Sequence, residues 1–183
     1  MSPVVYMPQG AVVLDLGVPW PAPAPVWSIG RYDEDRAIYT QPLFDGGRTV
    51  HMGIDLGAPA GVAVHAFAAG EVIHAGENPA PGDYGPTLVC AHVFEGRPLY
   101  VLLGHLSRPS LARSPVGRRF AEGDVLGWLG EPEENGGWPP HVHVQLAWER
   151  PATHDLPGAV RRADRDAARQ LYPDPRLILG KLY

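Results

Sequence analysis

Two places in the sequence combine residue types and spacings that suit metal ligation. The stretch GGRTVHMGIDLGAPAG places His51 four residues before Asp55. In a strand, or in a loop beside one, residues separated by an even number point to the same side. An imidazole nitrogen and a carboxylate oxygen can then converge on one cation, and zinc accepts this set at about 2.0–2.2 Å. An H-x-x-x-D match is common by chance, so this pair alone does not define a site.

The run NGGWPPHVHVQLAW contains a second pair, His141 and His143, in a predicted strand. Alternate residues of a strand share a face about 6.6 Å apart, so both imidazoles can reach one small volume. Taken alone, the motif is more simply explained by a strand that exposes two polar residues to water. His105 ends the run YVLLGHLS, where it continues a face with Val101 and Leu103. Each signal is modest, but their conjunction favours a metal site flanked by further histidines.

The elements that must position these residues are predicted to be short β-strands. Glycine (22) and proline (21) are abundant, which favours a mainly β fold with many turns over a helical bundle. The runs TLVCAHVF and PLYVLLGHLS bracket Glu95 and Gly96, a pattern that predicts a hairpin. After Trp148, the stretch GAVRRADRDAARQLY predicts a helix whose apolar stripe is Val160, Ala163, Ala167 and Leu171.

Three segments are expected along the chain: an extended, proline-rich N-terminal segment (1–30), a β domain (31–150), and a C-terminal helix with a docking tail (151–183). The net charge of -5 argues against a nucleic-acid partner. No run approaches the ~18 apolar residues of a membrane span, and the first 30 residues lack the basic start of a secretory signal. The sequence therefore predicts a cytoplasmic protein without a membrane partner. Exposed strand edges would permit a homodimer.

Four stretches, taken in order and with their spacing, resemble the LytM/lysostaphin-type zinc metallopeptidases (metallopeptidase family 23) over roughly residues 48–148. They are HMGIDLGAPAGVAVHAFAAGEVIHAG, GHLS, VGRRFAEGDVLGWLG and GGWPPHVHVQL. The resemblance implies a compact antiparallel β-sheet fold, similar to a duplicated hybrid motif, with the metal in a groove across the sheet.

The resemblance also implies a role for each histidine. His51, Asp55 and His143 correspond to the zinc ligands, and His105 and His141 correspond to the two other histidines of the active site. In the family these two are thought to orient or deprotonate the attacking water and to stabilise the oxyanion. The implied function is endopeptidase-type hydrolysis of a peptide or small amide by a zinc-activated water.

The sequence departs from the family in front of the first ligand. Several cell-wall enzymes of the family carry a tyrosine there, whereas QPLFDGGRTVH has Phe44 and no phenolic hydroxyl. Arg48, Tyr39 and Tyr84 are candidates to replace that tyrosine. Arg48, Tyr84 and Trp138, which precedes two prolines and should lie in a rigid segment, are candidate substrate-binding residues.

A further resemblance concerns DYGPTLVCAH, GGWPPHVHVQL and YPDPRLILG. These stretches are similar to the peptidase-like module that lies between a small-molecule kinase domain and a class III aminotransferase domain in some bacterial fusion proteins. This likeness implies a metabolic role on a small amino-acid derivative or peptide. Two alternatives remain: a zinc-bearing binding or regulatory module that acts with biosynthetic or amino-acid metabolic enzymes without hydrolysis, and a purely structural β domain. Degenerate relatives usually lose ligands, so the presence of all five positions favours the enzyme.

Overall fold

The computed structural model describes residues 1–20 and 23–183, and its fold is mainly β, as the sequence predicts. Pro21 and Ala22, which belong to the predicted extended segment, lie outside the described residues. The strands are β1 (Val12–Val13), β2 (Ser28–Gly30), β3 (Arg48–His51), β4 (Ile54–Gly57), β5 (Ala63–His65), β6 (Gly70–Asn78), β7 (Gly85–Phe94), β8 (Arg97–Gly104), β9 (Arg119–Phe120), β10 (Val125–Trp128), β11 (His141–Ala147) and β12 (Ala159–Arg161). The α-helices are α1 (Arg108–Arg113), α2 (Arg165–Leu171) and α3 (Arg176–Leu179), and 3-10 turns span Pro42–Phe44 and Arg162–Asp164.

One eight-stranded sheet organises the molecule, in the order β1-β2-β4-β11-β8-β7-β6-β9. All neighbours pair antiparallel except β1 and β2, which are parallel. The predicted hairpin is confirmed as β7–β8, whose two turn residues, Glu95 and Gly96, have φ values of 48° and 79°. Positive φ at both positions suits the twist of the flanking strands in a two-residue hairpin.

Strand β11 lies in the middle of this sheet and separates a core face from a polar face. Val142, Val144 and Leu146 belong to the main hydrophobic cluster beneath the sheet. Because successive side chains of a strand alternate, His141 and His143 project from the opposite face. The same alternation in β4 buries Ile54 and turns Asp55 towards the histidines. Burying these apolar faces against one another therefore fixes the direction of the polar residues.

The region after Trp148 differs in part from the helix that the sequence predicts. Val160 lies in β12, opposite Val50 of β3, and α2 begins only at Arg165. The buried residue of α2 is Ala168, whereas Leu171 is exposed. The predicted apolar stripe is therefore wrong, because strand pairing with β3 takes the first residues of the segment. Among the described residues, no helix has the length and apolar character needed to cross a membrane.

Candidate metal centre

The predicted site residues are brought together by three neighbouring strands of the main sheet, β4, β11 and β8, and by β3, which directly precedes β4 in the chain. His143 of β11 lies opposite Asp55 of β4 on one side and opposite Gly104 of β8 on the other. His51 ends β3, only three residues before β4 begins, so the short connection returns it to the same place. His105 directly follows β8 with a φ of 61°, an unusual value for a residue with a side chain. The structure thus gathers residues from distant parts of the sequence on the polar face of the sheet.

Three donor atoms form a small, nearly equilateral triangle at this place. His51 Nε2 lies 2.9 Å from His143 Nδ1 and 3.2 Å from Asp55 Oδ1, and the last two atoms are 3.0 Å apart. Ligands at about 2.0–2.1 Å from a tetrahedral zinc ion are separated by about 3.3 Å, close to these distances. All three residues are buried. Two nitrogens and one oxygen in this arrangement fit zinc and leave a fourth coordination position for water.

The remaining polar atom of each of these residues is occupied by a partner within the protein. His51 Nδ1 donates to the carbonyl oxygen of Arg31 at 2.8 Å, and His143 Nε2 donates to Gln145 Oε1 at 3.0 Å. Asp55 Oδ2 accepts a hydrogen bond from Arg36 Nη1 at 2.7 Å. Such outer partners fix the tautomer and orientation of metal ligands. They leave His51 Nε2, His143 Nδ1 and Asp55 Oδ1 free for a cation.

The two other predicted histidines border the triangle. His141 Nε2 lies 3.8 Å from Asp55 Oδ1, and the His105 and His141 rings are 4.2 Å apart between centroids. His141 Nδ1 donates to the Pro139 carbonyl and His105 Nδ1 to the Asn135 carbonyl, each at 2.7 Å. In both residues Nε2 is therefore the nitrogen that keeps its lone pair.

Burial and nearby charges keep His51, His105 and His141 neutral and Asp55 charged. Burial, reinforced by the positive charge of Arg36, lowers the pKa of His51 to about 4. Burial also lowers the pKa of His105 and, against the attraction of Asp55, the pKa of His141. Burial alone would raise the pKa of Asp55, but His51 and Arg36 outweigh it and hold that pKa well below its usual value. Neutral imidazole and ionised carboxylate are the forms that bind metal.

A cavity of about 820 Å³ opens over the triangle. The three predicted substrate-binding residues, Arg48, Tyr84 and Trp138, all lie in its lining. Arg48 donates to the backbone carbonyls of Leu43 and Ala159, each at 3.1 Å, and the Trp138 indole donates to the Gly82 carbonyl at 3.1 Å.

Tyr84 stands behind His143, because its hydroxyl lies 3.2 Å from Gln145 Oε1 and 3.1 Å from the Leu156 carbonyl. Its proton already has acceptors in the protein, whereas Tyr39 offers a freer hydroxyl. Arg36 Nη1 donates to Tyr39 Oη at 3.0 Å, and burial raises the pKa of Tyr39 above its ordinary value of 10.0. Tyr39 therefore keeps a proton that it can donate into the cavity.

Two residues that touch the ligands were not identified from the sequence. Arg36 lies in the loop after β2, and Gln145 lies two residues beyond His143 on the same face of β11. For Gln145, that spacing was an available signal, because the next residue on a ligand's strand face is placed to contact it. Nothing in the spacing of Arg36 points to Asp55, because their contact depends on the path of a loop.

The family model described as peptidase family M23 matches residues 49–154. The catalytic domain of a mutant of the prophage-encoded M23 protein EnpA from Enterococcus faecalis is similar in structure, with a TM-score of 0.51 and 23% sequence identity over 72% of this chain and 85% of that chain. The catalytic domain of lysostaphin from Staphylococcus simulans gives a TM-score of 0.47 and 19% identity over 78% of this chain and 92% of that chain. No curated protein matches the chain.

Two histidines and one carboxylate that leave a coordination position open form a ligand set used by zinc-dependent hydrolases. The family match covers more than half of the chain and contains all five predicted site residues. The chain belongs to peptidase family M23, a family of zinc metallopeptidases.

Proposed function

We propose that the protein is a zinc-dependent peptidase or amidase that hydrolyses its substrate with a zinc-activated water. In this proposal His51, Asp55 and His143 hold the zinc, and His105 and His141 move protons. The observation that carries the proposal is the triangle of three donor atoms, which lie 2.9–3.2 Å apart. In each of the three side chains the other polar atom is hydrogen-bonded within the protein.

When bound, zinc acts as a Lewis acid and lowers the pKa of a water ligand to about 7. His141 holds its Nδ1 proton on the Pro139 carbonyl, which leaves Nε2 to accept a proton from water and deliver it to the leaving amine. His105, whose Nδ1 is held by the Asn135 carbonyl and whose ring centroid lies 4.2 Å from that of His141, also has its Nε2 free to exchange a proton. Once either ring is protonated, its Nε2–H becomes a donor that stabilises negative charge on the carbonyl oxygen of the substrate.

Metal analysis tests the zinc ligands of this proposal, and turnover measurements test the catalytic histidines. Purified protein should contain about one zinc, and His143→Ala should lose it; native protein without metal affinity would contradict the metal site. His141→Ala should retain zinc yet lose about 10²- to 10⁴-fold in turnover, the usual contribution of general acid–base catalysis. His74→Gln is the matched control, because His74 Nε2 contacts the Pro151 carbonyl outside the cavity. Unchanged turnover in His141→Ala would exclude its role as a general base.

The substrate class is proposed as a peptide or a small amide of amino-acid metabolism. The small amide is proposed because of the sequence likeness to the module of kinase–aminotransferase fusion proteins. A cytoplasmic location of the protein stays a prediction. Zinc-loaded protein should be tested on glycine-rich peptides, peptides of D-amino acids and small biosynthetic amides. Cleavage of small amides alone would support the metabolic role, and cleavage of glycine-rich peptides alone would contradict it.

A further inference from the structure

A buried arginine forms an ion pair with the aspartate of the metal triangle. The Arg36 side chain is only 3% exposed, and its Nη1 donates to Asp55 Oδ2 at 2.7 Å. Its Nε donates to Glu34 Oε2 at 3.1 Å, and the Glu34 side chain is 7% exposed. Both residues precede the segment that the family model matches. The Asp55 carboxylate is thus in contact with residues that lie outside the family-matched segment.

We propose that Arg36 is a positioning residue that restricts Asp55 to binding the metal through Oδ1 alone. The inference rests on the proposed function only in taking the triangle to be a metal site. A carboxylate can bind zinc through one oxygen or both, and the second oxygen would occupy the position needed by water. Because Arg36 holds Oδ2 in a short, charged hydrogen bond, turning Oδ2 towards the metal would break the strongest contact of that oxygen.

The surroundings hold Arg36 itself in one place. Glu34 Oε1 accepts hydrogen bonds from Arg31 Nη2 at 2.7 Å and from the Leu16 backbone at 3.1 Å, which connects the ion pairs to the N-terminal segment. A Cβ atom on Gly30 would lie 2.6 Å from Arg36 Nη2 and 2.9 Å from Asp55 Oδ2. The absence of a side chain at Gly30 therefore lets β2 pack directly against the Arg36–Asp55 pair.

Charge supports the same role. Glu34 balances the charge of Arg36, so the buried pair adds no net charge to the metal site. If neutralising Glu34 were the only function of Arg36, removing both groups together would leave the metal site unchanged. If Arg36 positions Asp55, removing both would free Oδ2 even though the net charge of the protein stays the same. The two roles thus predict different properties for one double variant.

The experiment compares the Glu34→Gln/Arg36→Met double variant with the wild type. The double variant is used because Arg36→Met alone would leave Oε2 of the buried Glu34 carboxylate without a partner, with Arg31 on Oε1 as the remaining cation. Zinc affinity is measured by competition with a chelator at neutral pH, without any peptide present. The absorption spectrum of cobalt(II) in the same site reports the coordination number, because four-coordinate cobalt absorbs more strongly in the visible range than five-coordinate cobalt.

We expect the double variant to bind zinc about 10- to 100-fold more weakly, as is usual when an outer partner of a metal ligand is lost. Its cobalt(II) spectrum should weaken as Oδ2 joins the metal. Arg36→Lys, which keeps the charge without the planar fork, should lie between the double variant and the wild type. Arg118→Met is the control for loss of a half-buried arginine, because Arg118 contacts Ser114 Oγ at 2.7 Å and no residue of the site. It should match the wild type in both measurements.

Wild-type zinc affinity together with a wild-type cobalt(II) spectrum in the double variant would overturn the proposal and reduce Arg36 to a partner of Glu34. Both measurements use the metal alone, so they are independent of turnover. A wild-type protein that binds zinc but hydrolyses no substrate would contradict the proposed function and leave the role of Arg36 intact.

Discussion

Replacing Gln145 with methionine removes the acceptor that fixes the tautomer of His143. Gln145 is fully buried, and its Oε1 lies 3.0 Å from His143 Nε2 and 3.2 Å from Tyr84 Oη. Methionine has a similar length and no strong acceptor. Tyr84 keeps a second acceptor, the Leu156 carbonyl at 3.1 Å, whereas the His143 N–H loses its close acceptor and keeps only Tyr84 Oη at 3.5 Å. The Pro157 carbonyl also loses the Gln145 amide, which lies 3.3 Å away and does not touch the ligands.

The magnitude of the effect on zinc affinity follows from the His143 N–H, which loses its close acceptor. A buried donor without an acceptor costs about 1–3 kcal/mol, which corresponds to about 5- to 150-fold in a dissociation constant. In the metal-free protein His143 can move its proton to Nδ1 and donate it to Asp55 Oδ1, 3.0 Å away. In the zinc-bound protein Nδ1 must be bare, so the proton stays on Nε2. The loss should therefore fall mainly on zinc affinity, with a smaller change in the stability of the metal-free form.

The assay is zinc competition with a chelator, combined with urea unfolding of the metal-free protein. Asn78→Leu is the matched control, because Asn78 is buried and its amide donates to Thr87 Oγ1 at 3.1 Å, away from the ligands. That control should lose stability but keep its zinc affinity. If Gln145→Met bound zinc as tightly as the wild type, Nδ1 would not be the atom through which His143 holds the metal.

Three further perturbations have defined outcomes. Gly53→Ala should lower zinc affinity at least tenfold in the same competition assay, since its Cβ would overlap the His143 ring; wild-type affinity would show that the ring can move away. Burial lowers the pKa of His92 from 6.5 to about 4, so the unfolded chain takes up its proton first and the free energy of unfolding falls as pH drops from about 6.5 to about 4. His92→Gln should remove up to about 3 kcal/mol of that fall in urea unfolding at pH values across this window, and an unchanged pH dependence would contradict it. Tyr39→Phe should lower kcat about tenfold or more without changing zinc affinity, whereas an unchanged kcat would exclude its hydroxyl from the reaction.

The sequence predicted the parts of the site that depend on strand periodicity and missed those that depend on chain path. His141 and His143 could be assigned to one face because alternation in a strand is independent of the rest of the fold. The family resemblance implied that His143 and Asp55 share a metal, and the pairing of β4 with β11 is what brings them together in the structure. The contact between Arg36 and Asp55 joins residues 19 positions apart through an irregular loop, which no periodic pattern encodes.

The error around Val160 has a similar cause. Its spacing with Ala163 and Ala167 is helical, but the segment lies beside β3 and satisfies its backbone by pairing with that strand. Tertiary pairing outweighs local helical propensity here, as it commonly does for weakly apolar helices. Strand periodicity placed His105 on the face of Val101 and Leu103, which was wrong, because these two residues belong to the core. A φ of 61° immediately after β8 turns His105 towards His141, so that only the family resemblance assigned it to the site.

The pairing of β2 with β4 has a practical consequence for anyone who divides this chain. A fragment limited to the family-matched residues 49–154 would lack β2, and the outer edge of β4 would present unpaired backbone groups to solvent. Such an edge invites pairing with another chain and aggregation. The fragment would also lose the buried contributions of Val4, Val5 and Ile178 to the core. Insolubility or weak activity of such a fragment would then reflect the cut and not the chemistry of the enzyme.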